Sequence, residues 1–199
     1  MTIAHRAFET YEEYVYKQGG KARGRRDHLL AHVERNTVSF ERTFRRASAH
    51  LKPGAVLCLG ARTGAESVGA TRAGFAGSVG IDLHPVGVIG PSLQVGDWHD
   101  LQFADASFPN AYCNSLDHCL YLDKVSAEVQ RVLQPGGRFY VMATNRAGAS
   151  QEEWEAKGGN EALYWQTSHD LRDAIVGYGF VVEAEWRDGK WGHYVFTVR

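Results

Sequence analysis

The segment Val56-Leu57-Cys58-Leu59-Gly60-Ala61-Arg62-Thr63-Gly64-Ala65-Glu66 runs an apolar stretch into a glycine turn that opens a helical pattern. Glycine at 60 and 64 lets the backbone approach a ligand closely and take positive φ. The first amides of the following helix have no partner within it and are free to meet that ligand. About 20 residues beyond the turn, Val79-Gly80-Ile81-Asp82 ends a second apolar run on a carboxylate. An acid there can accept hydrogen bonds from both hydroxyls of a ribose. Alone, the turn is equally an ordinary strand-turn-helix crossover, and Asp82 a helix cap or a solvated acid. Their spacing favours nucleoside binding.

Two further segments follow apolar runs. In Val95-Gly96-Asp97-Trp98-His99-Asp100, Asp97 can accept from the amino group of an adenine. Asn114-Ser115-Leu116-Asp117-His118-Cys119 is polar and carries His118, whose ordinary pKa suits a general base near neutral pH. A capping or packing histidine is as good a reading of His118. Asp117 is a candidate to orient it, although neighbours on a regular element point apart. His84, His99 and His118 alternate with Asp82, Asp97 and Asp100, but successive strand ends explain that spacing, and no metal is expected. Tyr11, Tyr14, Tyr16 and Gln18, with the basic run Lys17, Lys21, Arg23, Arg25 and Arg26, are expected to cover a pocket; a solvated helix start is the plainer alternative. Trp154, Tyr164 and Trp165 offer an aromatic wall, or simply pack the 145–166 connection onto the core.

These residues need elements to hold them. Strands are expected at 55–59, 78–83, 92–95, 111–116 and 138–143, with helices at 65–73, 122–133 and 168–177 between or after them. Strands at 180–186 and 191–198 meet through Asp188-Gly189, a hairpin signal. Ahead of the sheet, helices are expected near 8–16 and from 27 to 50. Alternation implies a parallel sheet with helices on both faces, and the hairpin adds one antiparallel strand. The expected organisation is a helical cap over 1–51 and a core over 52–199.

The 199 residues suit one core, and 44% hydrophobic and 23% charged residues are ordinary for a globular protein. The net charge of -1 gives no general reason to expect nucleic acid or an anionic membrane as partner. No run is apolar enough to span a bilayer, and no signal core is read in 1–16, so a cytoplasmic protein is expected. Cys58, Cys113 and Cys119 are read as buried free thiols.

In this order, the motifs resemble those of the class I S-adenosylmethionine-dependent methyltransferases, in particular the small domains of the Methyltransf_11 type. The segment Leu133-Gln134-Pro135-Gly136-Gly137-Arg138 is similar to the hairpin before their fifth strand. The resemblance covers roughly 51–199. It implies a Rossmann-like α/β fold with a seven-stranded, mostly parallel sheet and one antiparallel C-terminal strand. It further implies S-adenosylmethionine as methyl donor, with S-adenosylhomocysteine as product. The implied cofactor site is Gly60, Ala61, Arg62, Thr63, Gly64, Asp82, Leu83, Gly96, Asp97, Trp98 and Asn114, and the implied catalytic residue is His118. Two positions depart from the pattern. Cys58 stands where an acid is usual and Arg62 where glycine is usual; Arg62 is expected to reach the donor's carboxylate or to pair with Glu66. The expected acceptor is a small molecule methylated at oxygen or nitrogen. Methylation of RNA or protein, and binding without catalysis, are the alternatives. A nicotinamide-dependent reductase shares the turn and the acid but explains neither Pro135-Gly136-Gly137 nor the terminal hairpin.

Overall fold

The computed structural model describes residues 3–146, 150–157 and 159–199. In chain order its strands are β1 (Ala4–His5), β2 (Val56–Leu59), β3 (Val79–Asp82), β4 (Leu93–Val95), β5 (Phe108–Cys113), β6 (Leu133–Thr144), β7 (Leu163–Tyr164), β8 (Phe180–Asp188) and β9 (Trp191–Val198). Its helices are α1 (Tyr11–Gly24), α2 (Arg26–Ala31), α3 (Val33–Ala47), α4 (Ala65–Arg72), α5 (Leu122–Val132), α6 (Gln151–Ala156) and α7 (Ser168–Gly177).

Seven strands form one sheet in the order β4-β3-β2-β5-β6-β9-β8. β9 runs antiparallel to both its neighbours, and the other pairs are parallel, as the sequence implied. β2, covered on both faces, reads as a continuous apolar run. Alternate residues divide between the faces. Val56, Cys58, Tyr112 and Tyr140 meet Phe44 and Ala47 of α3 and Ala70 of α4. Leu57, Leu59, Cys113 and Val141 share the opposite core with Val125 and Val129 of α5 and Leu171 and Ile175 of α7. All three cysteines are buried and free. α3 and α4 cross closely at Gly69, where a Cβ would lie 2.7 Å from Phe40 Cβ and 2.9 Å from two backbone atoms of α3.

Several bounds differ from the sequence reading. α1 starts at Tyr11, because Thr10 caps it by accepting from the Glu13 amide, and it continues through Gly19-Gly20. The helix expected over 27–50 is broken at His32 into α2 and α3 and ends in a 3-10 turn. β5 begins earlier, at Phe108, and β6 takes in the Pro-Gly-Gly segment from Leu133 onward. β1 and β7 pair antiparallel as a separate two-stranded ribbon. Within the 145–166 connection, residues 147–149 and 158 lie outside the described residues; Ser150 caps α6 through a box with Glu153. No helix of the described residues is long and apolar enough to cross a membrane.

Candidate active site

A cavity of about 340 Å³ opens beyond the carboxyl ends of β2, β3 and β5, the edge where open parallel sheets bind ligands. Its floor begins at the turn after β2. Gly60 and Gly64 sit at φ +70° and +77°. A Cβ on Gly60 would come 2.5 Å from Ser115 Oγ and 3.0 Å from Trp98 Cζ3, so a side chain there would fill the cradle. The Ala61 amide donates to Ile81 O at 2.9 Å and the Val86 amide to Arg62 O at 2.8 Å, which pins the turn between the ends of β3 and the loop beyond it.

Asp82 closes β3 with 6% of its surface exposed. Its Oδ1 accepts from the His84 amide at 2.8 Å, and its Oδ2 lies 3.5 Å from Arg62 Nε. Arg62 therefore makes its ion pair with Asp82, not with Glu66. Among the described residues Arg62 Nε has no hydrogen-bond partner, and neither have Gln18 Oε1 and Glu66 Oε2. All three residues line the cavity. Buried polar atoms without partners are costly, so this set suits a polar ligand.

α1 forms the roof. Tyr14 Oη donates to His118 O at 2.8 Å, Gln18 Nε2 to Asn160 O at 2.7 Å, and His84 Nε2 meets Val15 O at 2.9 Å. Gly19 lets the helix sit on the His84 ring, 3.0 Å from where a Cβ would be. Tyr11 Oη donates to Asp97 and lies 3.0 Å from His99 Nδ1. Asp97 Oδ1 also meets the His99 amide and Nδ1, each at 2.8 Å. Burial works against the Asp97 charge, but the bonds from His99 and Tyr11 hold its carboxyl below the usual range.

Of the residues expected to hold a cofactor, Gly60, Arg62, Asp82, Leu83, Gly96, Trp98 and Asn114 line the cavity together with His118. Ala61, Thr63, Gly64 and Asp97 lie outside that lining: the first three shape the turn, and Asp97 ties the roof to the loop after β4. Lys21 and Arg25, from the basic run, also face the cavity. Trp154 and Tyr164 pack on each other and on Ala4, while Trp165 joins the main core.

His118 is held at both ring nitrogens. Nδ1 lies 3.0 Å from Asn160 O, to which it donates, and Nε2 lies 2.8 Å from Lys21 Nζ and accepts from it. Burial lowers the pKa of both His118 and Lys21. Asp117 does not hydrogen-bond His118; its carboxylate lies 3.4 Å from Arg146 and its carbonyl accepts from the Ala162 amide. Asp117, His118 and Glu161 bring ligand atoms within 4.8 Å of one another, a cluster that sequence spacing did not disclose because Glu161 arrives from the distant connection before β7. The Lys21 ammonium supplies that cluster with a positive charge. Sequence reasoning also missed Glu66 as part of the lining. Its signal was a charged residue in the first turn of a helix that otherwise buries small residues.

Residues 57–141 match the family Methyltransf_11, a methyltransferase domain. Over 96 residues the chain is 33% identical to the mitochondrial 2-methoxy-6-polyprenyl-1,4-benzoquinol methylase of Drosophila melanogaster, a match that covers 47% of this chain and 28% of that protein. Among solved structures, the 1,6-didemethyltoxoflavin-N1-methyltransferase of Burkholderia thailandensis, with bound 1,6-didemethyltoxoflavin and S-adenosylhomocysteine, superposes with a TM-score of 0.70 at 16% identity, covering 98% of this chain and 94% of that one. The PH0226 protein of Pyrococcus horikoshii OT3 gives 0.65 at 21% identity, covering 83% and 92%.

Proposed function

Because the chain carries, over residues 57–141, a methyltransferase domain of the Methyltransf_11 family, we propose that it transfers the methyl group of S-adenosylmethionine to an oxygen or nitrogen of a small molecule. The observation that carries this reading is the roofed cavity, in which the Gly60 turn, buried Asp82 and unpartnered polar atoms converge. Asp82 would take the ribose hydroxyls, Gly96 and Trp98 the adenine end, and Arg62 the carboxylate of the amino-acid tail. When bound, the donor supplies a sulfonium-activated methyl; the protein's own task is alignment and exclusion of water.

A small acceptor is favoured over RNA or protein by the roof itself. α1 covers the cavity and is tied down along its length by Tyr11, Tyr14, Gln18 and Lys21. The 1,6-didemethyltoxoflavin named for the Burkholderia thailandensis enzyme is a small cyclic acceptor of this kind, whereas the benzoquinol named for the Drosophila melanogaster enzyme carries a polyprenyl tail.

His118 is the proposed base for a hydroxyl acceptor. Its Nδ1–H is fixed by Asn160, which leaves Nε2 as the proton-accepting atom once Lys21 gives way. The test is an acceptor panel read by release of S-adenosylhomocysteine, repeated with His118→Ala. Turnover is expected to fall ~10²–10⁴-fold with donor affinity near the parent value. No release with any acceptor, despite tight donor binding, would favour a binding protein without catalysis.

A further inference from the structure

Glu66 has no part in the assignments above. It stands in the first turn of α4 and lines the cavity, and its Oε2 is buried with no hydrogen-bond partner among the described residues. The groups facing it are Arg62 from the turn, Asp82 from β3, Cys58 from β2, and Tyr112 and Cys113 from β5. Among these only Arg62 is cationic, and it already pairs with Asp82. Desolvation, with the Asp82 charge adding to it, outweighs the bond from the residue's own amide and the Arg62 charge, and pushes the Glu66 carboxyl up to about 7. A buried carboxylate in a ligand cavity with no cation of its own is made for a ligand that brings one.

We propose that Glu66 receives the α-ammonium of the donor's amino-acid tail, and so makes the site select nucleosides that carry that tail over those that lack it. This rests on the S-adenosylmethionine reading. Arg62 and Glu66 then form the two poles of a zwitterion site, one from the turn and one from the helix it opens. A cation arriving beside Glu66 favours its ionised form, so binding near pH 6.5 releases a proton from the protein.

The test is calorimetry with two nucleosides, S-adenosylhomocysteine and methylthioadenosine, which shares the nucleoside and thioether but has no amino-acid tail. The parent is expected to prefer S-adenosylhomocysteine and to release protons on binding it, as read in buffers of different ionisation enthalpy. Glu66→Gln is expected to lose about 10- to 100-fold in affinity for S-adenosylhomocysteine, in line with a charge-assisted bond. It should lose the proton release and keep its affinity for methylthioadenosine. A Glu66→Gln variant that retains both the preference and the proton release overturns the proposal. One that loses both nucleosides equally also overturns it, since Glu66 would then serve the fold. Failure of the parent to bind either nucleoside overturns the donor reading itself, and this proposal with it.

Discussion

Asp82 works at two distances. Its Oδ1 is tied to the His84 amide, which fixes the carboxylate's plane at the end of β3. Its Oδ2 faces Arg62 and the cavity. On the proposed reading of Asp82 as the ribose acid, Asp82→Ala is expected to weaken S-adenosylhomocysteine binding by about 2 kcal/mol or more, roughly thirtyfold, since two ligand hydroxyls would lose a charged acceptor. Titration calorimetry reads it, and an unchanged Kd would remove Asp82 from the ribose. The place of Asp82 at the end of β3, in the cavity lining, was legible from its distance to the glycine turn. The surroundings of Asp97 and His118 were not. Tyr11 and Lys21 lie far from them in sequence, and only the seating of α1 makes Asp97 a tether and puts an ammonium against His118 Nε2.

The alternation of the central elements was legible because a strand covered on both faces leaves a short, wholly apolar run, as at Val56–Leu59. Three features left no periodic signal. The two-residue strands β1 and β7 are too short to show one. The break at His32 is a local turn inside one continuing amphipathic pattern. Gly19-Gly20 reads as a stop, yet α1 runs through it because Gly19 must accept the His84 ring. The antiparallel pairing of β6 with β9 sets a testable element apart. His193 on β9 stands opposite Met142, buried between Tyr140 and Trp186, and its Nδ1 lies 2.7 Å from Tyr140 Oη. Burial pushes its pKa down to about 4. The unfolded chain therefore takes up a proton there first, and stability is expected to fall as pH drops from the ordinary histidine value near 6.5 towards 4. The loss is on the order of 2 kcal/mol, and His193→Phe should flatten that limb of a urea-midpoint series against pH. An identical slope in the variant would show that another group carries the acid sensitivity.

Across the whole molecule, the sheet is the fixed part and α1 the attached one. The sheet strands are joined by backbone ladders, whereas α1 is held by side-chain bonds to the loops that ring the cavity. S-adenosylhomocysteine bound beneath it is expected to slow hydrogen exchange at the amides of 14–22 while leaving those of β2 unchanged. Equal exchange with and without the nucleoside would mean that the ligand does not sit under α1. The same attachment bears on how the protein is made. Tyr11, Tyr14 and Gln18 find their partners 86, 104 and 142 positions further along the chain. On the ribosome, α1 leaves the exit tunnel long before Asn160 and waits, with Tyr14 bare, while most of the sheet is still being synthesised. The binding chamber thus closes only once Asn160 has emerged, ahead of the β8–β9 hairpin that completes the sheet, and a chain stalled short of Asn160 is expected to leave Tyr14 open to a chaperone.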